Sequence, residues 1–358
     1  MRHIPRFARV VPVAALLLTA CTTSGSPPPG ATETVTASPE AATCPEVAMI
    51  IAQGGLGDQS YNDLANEGLT RAEDEFGIEA QRIESPDIVS QGEAVLRQAG
   101  QAGFGVVIDL EFSTADALTA VAGDFPDTQW TFMNLPLEGD NITSFVFAEH
   151  EGGYLAGALA ALVTSDTSIP GINDDLVIGA VGGTKSTGID KFIVGFMQGA
   201  MDINPDVEVL VSYTNDFGDA TKGQQAAEAM FEQGADIVYQ IAGGAGLGVI
   251  QEAEDAGKWA IGVDTDQSSI APDAVLTSMV KRTDEAVYQS VKGCAEGTLG
   301  GEVVNLDLAA GGVELGPIHE LVPSEYVDQV DELRQQIIDG EIEVWNVIEQ
   351  GYPDYFPE

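Results

Sequence analysis

GGLGDQSYN, residues Gly54 to Asn62, lies between a short apolar run at 47–52 and a segment whose apolar residues recur at helical spacing as far as Phe76. A strand, a glycine loop and a helix in this order are typical of an open α/β sheet, in which such loops lie at the carboxyl ends of strands, where ligands bind. The paired glycines allow a sharp turn and a close approach of the backbone to a ligand. The stretch therefore predicts an α/β fold with a ligand-binding loop.

The side chains of this loop favour a small polar ligand. Tyr61 offers a ring for stacking, Ser60 and Asn62 offer neutral hydrogen-bonding groups, and Asp58 offers a carboxylate. The alternative is a helix cap, in which Asp58 or Ser60 binds the free backbone amides of the following helix.

Strands and helices alternate along the rest of the chain, which predicts parallel sheets. The pattern begins again near residue 176, so we expect two similar lobes with a cleft between them. Strands are predicted at 79–84, 104–110, 130–135, 142–148, 176–181, 207–213, 237–241, 259–263, 276–280 and 303–308. Helices are predicted at 92–100, 115–125, 152–160, 191–201, 221–233 and 324–338, with others reaching 256 and 294.

The amino terminus is predicted to be an export signal. Residues 1–20 combine an arginine-containing head with an apolar run too short to cross a bilayer. The Leu18–Cys21 sequence LTAC reads as a lipobox, so we expect lipidation of Cys21 and a lipid-anchored protein on the extracytoplasmic face of the cell membrane. The alternative is an ordinary signal peptide with a chance cysteine. Residues 21–43 lack the apolar side chains of a core and are predicted to be a flexible linker.

The charge of the chain is strongly negative. The formal charge is −43, and loss of the three arginines of the signal makes it −46. Such a surface repels nucleic acid and anionic membranes, so neither is expected as a partner. Acidic residues spread along a lysine-poor chain suggest a high-salt habitat, where screening reduces the repulsion.

Two cysteines, Cys44 and Cys294, remain after the signal. In an oxidising compartment such a pair is expected to form a disulfide, with two separate buried thiols as the alternative. A bridge would require the helix that contains Cys294 to pack on the first lobe.

Several segments together resemble the basic membrane protein family of substrate-binding lipoproteins of ABC importers. They are GGLGDQSYND from 54, EHEGGYLAGALAALV from 149, IGAVGG from 178, KFIVGFMQGA from 191, VSYTNDFGDATKG from 211, AGGAGLGV from 242, AIGVDTDQ from 260 and LTSMVKR from 276. The resemblance implies a type I periplasmic binding protein fold of class α/β, with two doubly wound parallel-sheet lobes joined by a three-crossover hinge. The first lobe would contain 44–148 and about 276–300, and the second 149–275 and about 301–358.

The resemblance also implies roles for individual residues. Asp264, in GVDTDQ, and Lys281, in MVKR, occupy positions that hold a ribose in nucleoside-binding members, and Tyr61 occupies the position of an aromatic that stacks on the base. The alternatives are a capping aspartate, a simple Lys281–Asp264 ion pair and lobe packing by Tyr61. Gly243 and Gly244 follow a strand and open a helix, so their amides are expected to face the ligand. Tyr239 is expected either as a second aromatic wall or as a core residue.

The end of the site that reads the base departs from the family pattern. Many nucleoside-binding relatives carry an aspartate where this chain has Ala52, with Gln53 beside it. Glu111 stands where the family often has a small residue, and it could accept a hydrogen bond from a base or be a surface acid. Gln53 and Glu111 are therefore further candidates for ligand contact.

The sequence thus predicts a monomeric binding protein that takes a nucleoside, with a purine nucleoside as the leading candidate, and delivers it to ABC permease subunits. No cofactor and no metal are expected. A surface lipoprotein of the same fold acting as a sensor or adhesin is one alternative. Another is a nucleoside hydrolase that uses Asp58, Asp264 and Glu111 for acid–base catalysis. The sequence argues against it, because the chain has only three histidines and no metal-ligand cluster.

Overall fold

The computed structural model describes residue 44 and residues 46–357. The predicted signal peptide, Cys21 and the linker lie outside these residues. None of the helices in the described part is both long and apolar enough to cross a membrane.

Strands and helices alternate as predicted. The strands are β1 (Val47–Ile50), β2 (Ala80–Ile83), β3 (Val106–Asp109), β4 (Gln129–Met133), β5 (Ile142–Phe147), β6 (Val177–Gly182), β7 (Glu208–Tyr213), β8 (Ala235–Ile241), β9 (Trp259–Asp264), β10 (Val275–Lys281), β11 (Val303–Leu306) and β12 (Val313–Leu315). The helices are α1 (Tyr61–Phe76), α2 (Ile88–Ala102), α3 (Ala115–Ala122), α4 (Glu149–Thr164), α5 (Thr187–Ile203), α6 (Ala220–Phe231), α7 (Gly246–Ala256), α8 (Thr283–Glu296), α9 (Ser324–Ile338) and α10 (Val347–Gln350).

The strands form two sheets of the same design. The first has the order β11-β5-β4-β3-β1-β2 and is parallel throughout. The second has the order β12-β10-β9-β8-β6-β7 and is parallel except for β12, which runs antiparallel to β10. Central strands such as β1, β3, β8 and β9 are buried along their whole length, as expected when helices cover both faces. The predicted two-lobe α/β fold is confirmed.

In each sheet the strand order reverses beside the first strand, between β1 and β3 and between β6 and β8. Ligands of doubly wound sheets bind at the carboxyl ends of the strands at this reversal. The sheets therefore bring the loops after these four strands to the two positions where a ligand is expected.

The chain passes between the sheets three times. It leaves the first sheet after β5, returns through α8 after β10, and leaves again between β11 and β12. The expected lobe boundaries at 276 and 301 need correction, because β10 pairs with β9 in the second sheet and β11 pairs with β5 in the first. The local pattern predicted both strands, but it carries no information on which sheet completes their hydrogen bonds.

Helices α4 and α5 pack with their backbones in close contact because glycines from both lie at the interface. A Cβ on Gly157 would lie 1.9 Å from the carbonyl oxygen of Phe196, and one on Gly195 would lie 2.0 Å from that of His150. Only glycine permits such an approach. This contact fixes α5, whose first turns face the cleft between the lobes.

Cys44 and Cys294 form a disulfide with a Cα–Cα distance of 5.4 Å. It joins Cys44, three residues before β1, to the last turn of α8, and α8 packs along α1. The bridge thus attaches α8 to the first lobe, as a Cys44–Cys294 disulfide was predicted to require.

Candidate functional site

A cavity lies between the two lobes at the carboxyl ends of the strands. Its walls include Tyr61, Glu111 and Phe112 from the first lobe, and Phe217 and Asp264 from the second. The predicted site residues that line it are Asp264, Lys281, Tyr61, Asn62, Asp58, Gly243, Glu111 and Gln53.

Asp264 connects the lobes. It ends β9 with a positive φ of 67°, which turns its side chain into the cavity, and it is 6% exposed. Ser60 Oγ of the first lobe donates a hydrogen bond to Asp264 Oδ2 at 2.6 Å. Burial raises the pKa of Asp264 to about 6, against the opposing effects of Lys281 and Ser60. The result is a buried carboxylate in the wall of the cleft that accepts a hydrogen bond from a hydroxyl group.

Lys281 pairs with Glu149 and not with Asp264. Its Nζ lies 2.9 Å from Glu149 Oε1 and 2.5 Å from Asn134 Oδ1. Lys191 reaches the other Glu149 oxygen at 2.5 Å, and both Lys191 and Glu149 are fully buried. Burial acts to raise the pKa of Glu149, but the two ammonium groups outweigh it and hold that pKa below its ordinary value. The simple Lys281–Asp264 pair considered from the sequence is therefore replaced by a buried network in which two cations share one carboxylate.

Tyr61 lines the cavity, and its hydroxyl group is already engaged. The hydroxyl donates to the carbonyl of Leu110 at 3.1 Å and accepts from Asn134 Nδ2 at 2.9 Å. Lys281 Nζ lies 4.9 Å from the centre of the ring, a cation–π distance. Tyr61 thus joins the lysine network to the loop after β3.

Two phenylalanines that the sequence interpretation missed face each other across the cleft. Phe112 follows β3 in the first lobe and Phe217 follows β7 in the second, and their ring centres are 6.5 Å apart at 70°. Edge-to-face contact of this kind is favourable between aromatic rings. Phe217 lies within the family-like segment VSYTNDFGD, and Phe112 adjoins Glu111, so their positions in the sequence were the available signals.

Asp58 and Asn62 shape the glycine loop. The carboxylate of Asp58 accepts from the backbone amides of Ser60, Asn62 and Asp63, and from Asn62 Nδ2. Asn62 Oδ1 accepts from the amide of Ala52. These contacts favour the capping alternative for Asp58, whereas Ser60 makes no side-chain cap bond and faces Asp264.

Glu111 is completely buried, so the surface alternative is wrong. Oε2 accepts from the backbone amide of Gln53 at 3.0 Å, and Oε1 accepts from Gln53 Nε2 at 3.1 Å. Beneath this pair lies Asp109, whose pKa burial raises to about 7. Gln53 and Glu111 therefore act as one unit in the cavity wall.

Three candidates do not line the cavity. Tyr239 is fully buried in the core against Phe196, with ring centres 5.3 Å apart, so its core alternative is correct. Gly244 stands against Asp58 and the carbonyl of Phe217 at the contact between the lobes, whereas Gly243 does line the cavity. Ser60 reaches the site through its hydrogen bonds to Asp264 Oδ2 and to the carbonyl of Val263. Within the described part of the chain, no group of three or more His, Cys, Asp or Glu side chains is arranged to hold a metal ion.

Comparison with known proteins gives consistent similarities. Residues 45–346 match the family model described as ABC transporter substrate-binding protein PnrA-like. The ABC transporter nucleoside-binding protein BmpA of Lactococcus lactis subsp. cremoris is 32% identical over 84% of this chain and 88% of its own. An uncharacterized lipoprotein of Pyrococcus abyssi is 29% identical over 90% and 83%. A crystal structure of ABC transporter system solute-binding proteins from Aeropyrum pernix K1 aligns with a TM-score of 0.76 at 27% identity, covering 84% and 93%.

Proposed function

This chain belongs to the PnrA-like family of ABC transporter substrate-binding proteins, and we propose that its ligand is a nucleoside held in the cleft between the lobes. As a member of that family it is the ligand-binding component of a transporter and not an enzyme. The transport role follows from the family relation, and the proposed ligand is supported by the arrangement of side chains in the cleft.

The observation that carries the proposal is the pair of buried charges at the cleft. Asp264 is a strand-end carboxylate that accepts from a hydroxyl group, and Lys281 stands beside it in the same cavity. A ribose diol offers two neighbouring hydroxyl groups, and these are the donors that such a carboxylate binds. Ser60 Oγ occupies one acceptor position of Asp264 and marks the kind of contact that a sugar hydroxyl would make.

Phe112 and Phe217 supply the place for a base. Because the two rings come from opposite lobes with their planes at 70°, a planar base would stack on the face of one ring and meet the edge of the other as the lobes close. Stacking is tolerant of base identity, so this contact alone does not distinguish purines from pyrimidines. A purine is the leading candidate because its larger ring system buries more apolar surface against the phenylalanines.

The remaining steps of the proposal concern delivery. The lobes close around the ligand by movement at the three crossovers, and permease subunits recognise the closed form. Cys21 carries lipid and holds the monomer on the extracytoplasmic face of the cell membrane. The lipoprotein name of the Pyrococcus relative supports this location.

Calorimetric titration with adenosine, inosine, guanosine, uridine and cytidine tests the ligand. We expect at least one nucleoside to bind and its 2′-deoxy analogue to bind more weakly, because the diol is broken. Asp264→Ala should weaken binding about 100-fold, in keeping with a charged hydrogen-bond partner lost from a buried site. Asp266→Ala is the matched control, since Asp266 is exposed two residues further on. Absence of heat with every nucleoside would refute the proposal.

Expression of the full chain with Cys21→Ser tests the anchor. The wild-type protein should fractionate with membranes and carry lipid on Cys21 by mass spectrometry, whereas the variant should be released. Equal membrane association of both proteins would contradict lipidation at this position.

A further inference from the structure

Gln53 and Glu111 form a fixed hydrogen-bonding unit in the cavity wall. They follow β1 and β3, the two strands at which the order of the first sheet reverses. Among the residues that the structure describes, every polar contact of the Glu111 carboxylate is with an N–H group: the backbone amide and Nε2 of Gln53, and the backbone amide of Ser113. Glu111 is therefore used only as an acceptor, as an ionised carboxylate must be.

This arrangement determines which way the Gln53 amide points. The oxygen and nitrogen of a carboxamide are similar in shape, so the orientation of such a group follows from its partners. An acceptor-only partner requires the nitrogen, and Nε2 of Gln53 is the atom at 3.1 Å from Glu111 Oε1. A turned amide would bring two oxygen atoms together and lose this bond. Glu111 thus prevents Gln53 from rotating.

The consequence is an unengaged acceptor on a side chain that lines the cavity. Gln53 lines the cavity together with Phe112 and Phe217. Among the described residues, no hydrogen bond uses Gln53 Oε1, whereas Nε2 is held by Glu111. A base that stacks against the phenylalanines would therefore meet an oxygen whose position is set by a buried carboxylate.

We propose that Gln53, oriented by Glu111, reads the base through Oε1 and selects nucleosides whose base presents an N–H group to it. The inference rests on the proposed nucleoside function and adds the group that confers specificity. Glu111 acts as a positioning residue, because its own oxygens are occupied by protein amides. Bases with a ring N–H or an exocyclic amino group satisfy the acceptor, and a base whose ring carries only acceptor nitrogens leaves it unpaired.

Purine riboside provides the probe because its base has the purine shape without any N–H group. In the wild-type protein, we expect the better of adenosine and inosine to bind roughly tenfold more tightly than purine riboside, the size of one unpaired buried acceptor. In Gln53→Leu this ratio should fall to about one, since no acceptor remains to be satisfied. In Glu111→Gln the amide can turn and donate to purine riboside, so the ratio should also fall while adenosine and inosine still bind.

Two controls accompany the measurement of this affinity ratio: a variant at an exposed glutamine and a check that each variant is folded. Gln251→Leu removes an exposed glutamine on α7 and should leave the ratio unchanged. Because a ratio of two ligands on one protein is measured, a partial loss of folded protein does not alter it, and thermal unfolding of each variant checks the fold.

Two results would overturn the inference. Equal affinities of the wild-type protein for purine riboside, adenosine and inosine would refute base reading by Gln53 and leave nucleoside binding intact. An unchanged ratio in Gln53→Leu would do the same. Failure of every nucleoside, purine riboside included, to bind the wild-type protein would refute the proposed function and this inference together.

Discussion

Asp109, at the end of β3, is a buried carboxyl beneath the cavity wall. Oδ1 accepts from the amide of Glu111, and Thr114 Oγ1 lies 2.6 Å from Oδ2 and also 2.6 Å from the carbonyl of Glu111. One hydroxyl proton cannot serve both oxygens. A protonated Asp109 resolves the conflict, because it donates to Thr114 while Thr114 donates to the carbonyl. The raised pKa of about 7, caused mainly by burial, agrees with this arrangement.

Asp109→Asn is therefore expected to stabilise the protein at neutral pH. In the folded state Asp109 keeps its proton up to about pH 7, whereas in the unfolded state it loses the proton near pH 4. As the pH rises from 4 to 7, ionisation therefore lowers the free energy of the unfolded state relative to the folded state, and stability decreases. Wild-type stability should fall by about 3–4 kcal/mol over this range relative to the variant, whose amide makes the same contacts without titrating. Urea unfolding of both proteins at pH 4.5 and 8.0 measures the difference, and parallel pH dependence of the two would contradict the assignment.

Asp264 should make ligand binding depend on pH. Its pKa is raised to about 6, chiefly by burial, and the carboxylate is the form that accepts two hydroxyl groups. Affinity should be nearly constant above about pH 7 and fall as the pH drops through 6, by roughly tenfold between pH 7.5 and 5.0. Ser60→Ala should move the onset of this loss to higher pH, because the Ser60 hydrogen bond holds that pKa down. Equal affinities at the two pH values would exclude a titrating Asp264 from the contact.

At the level of elements, the α4–α5 interface sets the position of one cleft wall. Gly157→Ala would place a methyl group 1.9 Å from a backbone oxygen of α5, so we expect a loss of about 3 kcal/mol or more in the free energy of unfolding. Gly123→Ala, at the end of α3, is the matched control, because no atom lies within 4 Å of its added Cβ, and its effect should stay within about 1 kcal/mol. Similar thermal shifts for both variants would contradict close packing as the cause.

Sequence periodicity predicted the elements better than their partners. The helix predicted at 324–338 coincides with α9, and the strand predicted at 276–280 differs from β10 by one residue at each end. What local pattern does not encode is long-range pairing, which is why the crossovers at β10 and β11 were misplaced. β12 was not predicted, because three residues are too few for a periodic signal.

In the site, too, the sequence predicted individual residues but not their long-range partners. Asp264 and Lys281 were predicted through segments that resemble a family, and both line the cavity. Glu149 and Lys191 lie inside quoted segments, yet nothing in a single sequence reveals that they are buried or that they meet Lys281. A buried ion network is defined by partners far apart in the chain, so only the folded molecule identifies it.

In the whole molecule the three crossovers are bonded to one another. Glu149, which begins the first, pairs with Lys281, which precedes the second. Glu151 accepts from the amide of Leu308 in the third, and the amide of Arg282 in the second donates to the carbonyl of Gly312 in the third. The cavity residue Lys281 is therefore part of the hinge itself. Ligand contact at Lys281 would act directly on the segments that must bend when the lobes close.

The negative charge of the molecule should make its stability depend on salt. The chain has 57 acidic residues and 14 lysines and arginines, and Glu325, Asp328 and Glu332 lie at helical spacing on the exposed face of α9. Like charges at this spacing repel, and raising the salt from 0.1 to 1 M shortens the screening length from about 10 to about 3 Å. We expect the urea midpoint to rise over this range, most steeply below about 0.5 M, where screening changes fastest.

A triple variant, Glu325→Gln, Asp328→Asn and Glu332→Gln, separates repulsion from a general salt effect. Removing three acids from one face should raise stability at 0.1 M NaCl and reduce the gain on going to 1 M, because less repulsion is left to screen. A general effect of salt on apolar burial would act equally on both proteins, since these exposed side chains contribute little to the core. Identical salt dependence of the two proteins, or a wild-type midpoint independent of salt, would show that charge repulsion does not limit the stability of this fold.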